Sequence, residues 1–149
     1  MEIKKLKAVF DINVYLAAYL SQNPFSPTVE LLKRWRNNEF IILYSDKILQ
    51  EIIRKFIEKG IDARYIIALI SDIQLFGEYV NVTSDDIKSI ILEDPDDDIF
   101  VACALKGETT HLVTYDPHFD CLKGKYLQFE VLDGLHFLYQ VRGDRMPEK

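Results

Sequence analysis

Phe40-Ile-Ile-Leu-Tyr44, followed by Ser45-Asp-Lys-Ile-Leu-Gln-Glu51, is the stretch that decides how this chain folds. Its first five residues are apolar without a break and rich in β-branched and aromatic side chains, the pattern of a strand buried on both faces. Ser45 is a natural N-cap, and the helix it opens is predicted over Asp46 to Lys59, with Gly60 ending it. Within that helix Ile48, Leu49, Ile52, Ile53, Phe56 and Ile57 recur every three or four residues and give one apolar face.

The same alternation repeats on either side. Lys7-Ala-Val-Phe10 reads as a first buried strand ending at Asp11. Asn13 to Leu20 is apolar with helical spacing, and Asn23-Pro-Phe-Ser-Pro27 is a turn. Thr28 to Asn38 is helical, with Val29, Leu31, Leu32 and Trp35 on one side. A helix over Asp62 to Phe76 stops at Gly77, and a strand is predicted near Tyr79-Val-Asn-Val82. Ser84-Asp-Asp86 opens a short helix that Asp94-Pro95 breaks. Asp96 to Lys106 is a helix with small residues at Ala102, Cys103 and Ala104, closed by Gly107. His111 to Tyr115 and Phe129 to Leu132 are further strands, and Leu135 to Val141 a last helix. Short apolar strands alternating with helices indicate βαβ units around a parallel sheet. The expected fold is α/β, three-layer α/β/α with a central parallel sheet, in one domain over 1–141. Residues 142–149 form a polar tail expected to fray.

Composition agrees. The chain has 149 residues, enough for one self-sufficient core. Hydrophobic residues at 48% and charged residues at 28% exclude general disorder, and 6 Gly with 5 Pro exclude a linker-rich chain. Two cysteines, Cys103 and Cys121, give neither a disulfide framework nor a zinc spacing, so a reduced, cytoplasmic setting is expected. No apolar run approaches the roughly 18 residues of a membrane span, and Asp11 interrupts the N-terminal apolar stretch too early for a signal peptide. The net charge of -6 sits in one place: Asp85 to Asp98 holds seven acids and one lysine, which leaves seventeen of each sign elsewhere. Clustered like charge marks either a solvated loop or a cation site.

In an open parallel sheet ligands bind beyond the carboxyl ends of the strands, where strand order reverses. Asp11 and Asp116 both follow strands. Asp97 stands in the first turn of its predicted helix, and Glu51 two turns into the helix after the second strand, at the edge of its buried face. Four carboxylates brought together raise one another's pKa unless a cation intervenes, and an all-oxygen donor set suits Mg²⁺ or Mn²⁺. Such a site can hold a water in line with a phosphodiester. Each residue also has a simpler use: Asp11 as a turn acid, one of Asp94, Asp96 and Asp97 as a helix cap, Glu51 as an exposed helix residue, Asn13 and Thr114 as turn formers. His111, His118 and His136 share no ligand spacing and read as structural or solvated.

Four blocks in this order carry a resemblance: Val9-Phe-Asp-Ile-Asn-Val14, Ser45 to Glu51, Asp94-Pro-Asp-Asp-Asp-Ile-Phe-Val-Ala-Cys-Ala104, and Leu112-Val-Thr-Tyr-Asp116. Together they resemble the PIN-domain family, in particular the toxins of prokaryotic toxin–antitoxin pairs, over about Lys7 to Tyr139. The resemblance implies a metal-dependent endoribonuclease acting on single-stranded RNA, usually a homodimer, with a cognate antitoxin protein as a further partner. It places the catalytic and metal-holding acids at Asp11, Glu51, Asp97 and Asp116. It makes Asn13 and Thr114 groups that orient them, with Asp94 and Asp98 as supporting acids. One departure is Ile12, where the family often has a small hydroxyl residue. Two other classes remain open: a non-catalytic cation- or RNA-binding module, and a Mg²⁺-dependent phosphotransfer domain using Asp11 as nucleophile.

Overall fold

The computed structural model describes residues 5–91 and 95–143. Five strands form one parallel sheet: β1 (Lys7–Phe10), β2 (Ile41–Tyr44), β3 (Glu78–Tyr79), β4 (His111–Val113) and β5 (Glu130–Leu132). Their order across the sheet is β3-β2-β1-β4-β5, and every pairing is parallel. Helices α1 (Ile12–Leu20), α2 (Pro27–Arg36), α3 (Asp46–Glu58), α4 (Ala63–Phe76), α5 (Asp98–Lys106) and α6 (Gly134–Arg142) flank it in three layers, as the sequence leads one to expect. The chain winds from β1 out to β3, then returns to place β4 on the other side of β1. The reversal of strand order therefore falls between β1 and β4.

The core follows from the apolar runs. Ala8, Val9, Phe10, Ile42, Leu43, Leu112 and Val113 are all at most 1% exposed, as strands covered on both faces require. Phe10, Phe40 and Phe137 meet at 5.2–6.0 Å between ring centres, largely edge to face, and join β1 to α6. Each buried ring of this kind contributes about 1.5–3 kcal/mol over leaving it in water. Gly107 ends α5 where the backbone runs close under β2: a Cβ there would lie 2.5 Å from Leu43 Cδ2 and 2.9 Å from Val80 Cγ2.

Acid and serine caps start four of the helices. The side chains of Asp11, Ser45, Asp62 and Asp133 accept from backbone N–H groups at the starts of α1, α3, α4 and α6. Several boundaries differ from the sequence expectation. The third strand is Glu78–Tyr79, two residues long, because only these pair with Leu43 and Tyr44 at the sheet edge. Ser84–Asp86 is a single 3₁₀ turn rather than the start of a helix. A 3₁₀ turn over Pro95–Asp97 precedes α5, so Asp97 is its N-cap residue and not a member of its first turn. Fourth-strand pairing stops at Val113, and a 3₁₀ turn over Pro117–Leu122 follows. Arg142 closes α6, and its Nε donates to Glu30 on α2 at 2.8 Å, while residues 144–149 of the expected tail lie outside the described residues. Asp94 lies outside the described residues.

Candidate metal centre at the β1–β4 switch point

Asp11 leaves β1 and caps α1, with its own backbone N–H donating to Val113 of β4 at 2.9 Å. The carboxylate is completely buried. Its Oδ1 accepts from Ile12 N at 2.7 Å and its Oδ2 from Thr114 Oγ1 at 2.9 Å. A buried carboxylate needs such donors, since desolvation without them costs several kcal/mol. Thr114 itself accepts from Asp116 N at 2.9 Å. One buried hydroxyl thus ties the acid that follows β1 to the acid that follows β4.

Asp116 caps the 3₁₀ turn, its Oδ1 accepting from His118 N at 2.9 Å. That turn swings the His118 ring back over the acids. His118 Nδ1 lies 3.4 Å from Asp116 Oδ1 and 3.6 Å from Asp97 Oδ2. Among the described residues this buried ring nitrogen has no hydrogen-bond partner. Asp97, 5% exposed, comes in from the N-terminus of α5. One ligand atom from each of Asp97, Asp116 and His118 falls within 4.8 Å of the others, the single such group of metal-binding side chains among the described residues. Two carboxylates and an imidazole nitrogen converging on one point are a donor set that fits a divalent cation.

His118, read from sequence as structural or solvated, therefore stands in the cluster. The signal was in the chain: Asp116-Pro-His118 is an acid cap, a helix-starting proline and a histidine two residues on, which folds the ring toward the acid. Of the four acids named from sequence, the structure brings Asp97 and Asp116 together directly and Asp11 through Thr114.

Glu51 is placed differently. On α3 its Oε1 accepts from Arg54 Nη2 at 2.6 Å and its Oε2 from Arg54 Nε at 3.2 Å. The same guanidinium reaches Glu58 at 3.2 Å and Asp96 at 3.4 Å. Glu51 stands in an open cleft of about 350 Å³ with Lys47, Gln50, Arg54 and Asp96, outside the Asp97–Asp116–His118 group. Asp98, expected as a supporting acid, is 4% exposed and bonded elsewhere: its Oδ1 accepts from Ile90 N at 3.1 Å and Ile91 N at 2.7 Å. It clips the 87–91 segment to the start of α5. Asn13 lies half-buried in the first turn of α1.

No described helix is long and apolar enough to cross a membrane. No curated protein matches the chain by sequence. Its fold is similar to that of PAE2754 from Pyrobaculum aerophilum, with a TM-score of 0.58 at 14% identity over 94% of this chain and 91% of that one. It is also similar to VapBC2 from Rickettsia felis, solved bound to a DNA fragment from its promoter, with a TM-score of 0.58 at 11% identity, covering 86% and 98%. The PIN domain family model matches residues 7–118, from the first residue of β1 to the histidine of the cluster. With its acids gathered at the β1–β4 switch point of a parallel sheet, the chain belongs to the PIN domain family.

Proposed function

We propose that this protein is a metal-dependent endoribonuclease that hydrolyses phosphodiester bonds of single-stranded RNA, acting in the cytoplasm as the toxin of a toxin–antitoxin pair. The observation that carries this reading is the convergence of Asp97, Asp116 and His118 within 4.8 Å, with Asp11 held to them through Thr114. PIN domains are generally nucleases that need a metal. The fold likeness to a VapBC protein supports an antitoxin partner.

Asp97 and Asp116 would hold Mg²⁺ or Mn²⁺ directly, with His118 Nδ1 as the nitrogen donor. An imidazole in the set favours Mn²⁺, because Mg²⁺ prefers oxygen ligands. The cation, when bound, supplies the Lewis acidity that activates water and stabilises charge on the phosphate. The protein's own part is placement. Thr114 holds the Asp11 carboxylate and the Asp116 backbone N–H at one separation, and His118 N holds Asp116 Oδ1 in turn, so the acids are oriented before charge develops. Asp11, with no exposed surface and both oxygens accepting hydrogen bonds, is suited to orienting a neighbour and unsuited to in-line attack. That argues against the aspartyl-phosphate alternative. Glu51 joins the cation site if its bond to Arg54 opens.

A homodimer fits the same reading. On α4 only Ile66, Leu69 and Ile73 are buried, while Ile67 is 66% and Leu75 75% exposed. Ile53 and Ile57 of α3 continue this apolar face. Incubation with single-stranded RNA in Mn²⁺, against an EDTA control, tests the activity. Cleavage in Mn²⁺ that EDTA stops is the expected result, and intact RNA under both conditions overturns the reading in favour of a non-catalytic binding module.

A further inference from the structure

We propose that Tyr115 and Lys123 form a nucleotide subsite beside the acid cluster, the Tyr115 ring stacking on a base of single-stranded RNA and the Lys123 ammonium meeting an adjacent phosphate. This rests on the nuclease reading and adds to it where the substrate lies. A cleft of about 250 Å³ opens at the carboxyl ends of β4 and β5, and Thr114 and Asp116 form part of its wall together with Tyr115, Lys123 and Asp133. A strand whose phosphate met a cation at Asp116 could lay its neighbouring nucleotide in this cleft, and the cleft beside α3 is the alternative. Among the described residues the α3 cleft is lined by Lys47, Gln50, Glu51, Arg54 and Asp96 with two isoleucines and no aromatic side chain. Tyr115 is the aromatic ring next to the acids.

Its placement is fixed rather than incidental. Tyr115 is 44% exposed, so the ring offers surface to solvent, yet its hydroxyl end is lodged against Gly134 at the start of α6. A Cβ on residue 134 would lie 2.3 Å from Tyr115 Oη and 3.1 Å from Cζ. Glycine is a poor helix former, and here it leaves the room the ring uses. A phenol ordinarily ionises at about pH 10, so the ring is neutral at physiological pH. A neutral aromatic surface held in one orientation suits base stacking, which tolerates any base and loses little freedom on binding.

Lys123 extends from the far end of the 117–122 turn and lines both this cleft and a second one containing Tyr126. Its Nζ pairs with Asp120 Oδ1 at 3.0 Å, with both side chains more than half exposed. Such a pair is weak and screened, and a phosphate can displace it. Asp133 faces the cleft already engaged, its Oδ1 accepting from His136 N at 2.8 Å and lying 2.6 Å from His136 Nδ1.

The test is steady-state cleavage of a short, unstructured oligoribonucleotide in Mn²⁺, together with anisotropy of the same labelled strand. Wild type is compared with Tyr115→Phe, Tyr115→Leu, Tyr115→Ala and Lys123→Ala, with thermal melts confirming that each is folded. Tyr115→Ala and Tyr115→Leu should raise KM and weaken binding about tenfold, within the range of one base–aromatic stack. The kcat should change little, and Tyr115→Phe should behave as wild type. An abasic residue beside the cleaved bond should carry the same penalty in wild type and no further penalty in Tyr115→Ala. Lys123→Ala should reduce the slope of log affinity against log salt by about 0.7. An unchanged KM in Tyr115→Ala, or an undiminished abasic penalty, overturns the subsite and leaves the nuclease standing. Binding without cleavage that still depends on Tyr115 keeps the subsite and overturns the nuclease. Neither cleavage nor binding by wild type overturns both.

Discussion

The two sides of the acid cluster are built in opposite ways. On the β1–β4 side Asp11 is fully buried and Thr114 is 7% exposed, and their hydrogen bonds run through one hydroxyl from one strand end to the other. On the α3 side Glu51 and Asp96 are held by Arg54, a half-exposed guanidinium shared among three carboxylates. The first arrangement resists change, because each group left unpaired there loses its partner in a medium without water. The second can be exchanged, because water and salt replace what is lost. A rigid half thus sets geometry and a soft half is free to answer a ligand. Each of the following experiments loads one side against the other.

The largest effect belongs to the cluster itself. Asp97→Asn is expected to reduce RNA cleavage on the order of 10³-fold, since a catalytic cation is worth several kcal/mol of transition-state stabilisation. Asp96→Asn, whose carboxylate faces Arg54 on the soft side, should retain most activity. Comparable loss in both variants would erase the distinction between the two sides.

Metal should also be visible without RNA. A cation bound only by the folded chain stabilises it by about 2.7 kcal/mol at a hundredfold excess over its dissociation constant. For a domain near this size that raises the melting temperature by several degrees, at roughly 2–4 °C per kcal/mol. The shift should appear with Mn²⁺ in a melt at constant ionic strength, be absent with EDTA, and be blunted in Asp97→Asn. A melt indifferent to millimolar Mn²⁺ would remove the cation from the cluster.

Thr114→Val separates orientation from ligation. It takes no carboxylate away but leaves Asp11 Oδ2 and Asp116 N without the hydroxyl. Unsatisfied buried groups cost about 1–3 kcal/mol, to be read by urea denaturation. Loss of such an orienting partner should lower activity or metal affinity about 10–100-fold. Wild-type stability would show that the bridge between the strand ends carries no weight.

This contrast also explains what the sequence disclosed and what it withheld. Asp11 and Asp116 were legible because each ends an apolar run, and the parallel sheet was legible from the alternation of strands and helices, but the order of the strands was not. Asp97 was legible in position but not in conformation, because a 3₁₀ turn and an α-helix start read alike in sequence. His118 was missed because its place in the cluster depends on a turn that begins at Pro117, four residues after β4 ends at Val113, a tertiary consequence invisible to ligand spacing. Asp98 resembled its neighbours in the acidic run, and only the path of residues 87–91 over α5 gives its carboxylate two backbone donors. Glu51 and Arg54 stand three residues apart on one helix, a spacing that favours pairing.

A pH prediction concerns the opposite end of β4. His111 is 6% exposed, with Nε2 2.7 Å from Gln140 Oε1 and Nδ1 2.7 Å from Thr110 Oγ1. Burial holds its pKa below the ordinary histidine value, partly opposed by Gln140 and the Glu130 charge. The unfolded chain therefore takes up this proton first as pH falls. The contribution of neutral His111 to stability is complete above about pH 6.5 and declines as pH drops below it. Denaturation midpoints should fall from pH 7 toward pH 5, and His111→Gln should flatten part of that slope. A slope the variant leaves unchanged would place the titration elsewhere.

The smallest effect is expected at Arg54, and its sign is the informative part. Arg54→Ala removes ion pairs to Glu51, Glu58 and Asp96, each at a half-exposed guanidinium where solvent and salt compete. Stability without metal should therefore change little, and any change should vanish in high salt. Metal affinity should move the other way. The positive charge beside Glu51 and Asp96 repels an incoming cation and occupies a carboxylate the cation would otherwise recruit, so its loss leaves the site more negative. Arg54→Ala should lower the Mn²⁺ concentration at half-maximal thermal shift, and Arg54→Lys should fall between it and wild type. Calorimetric titration with Mn²⁺ at two salt concentrations reads this directly. A weaker Mn²⁺ response in Arg54→Ala would mean that the guanidinium holds Glu51 in a binding position, and the soft side would then be as preorganised as the rigid one.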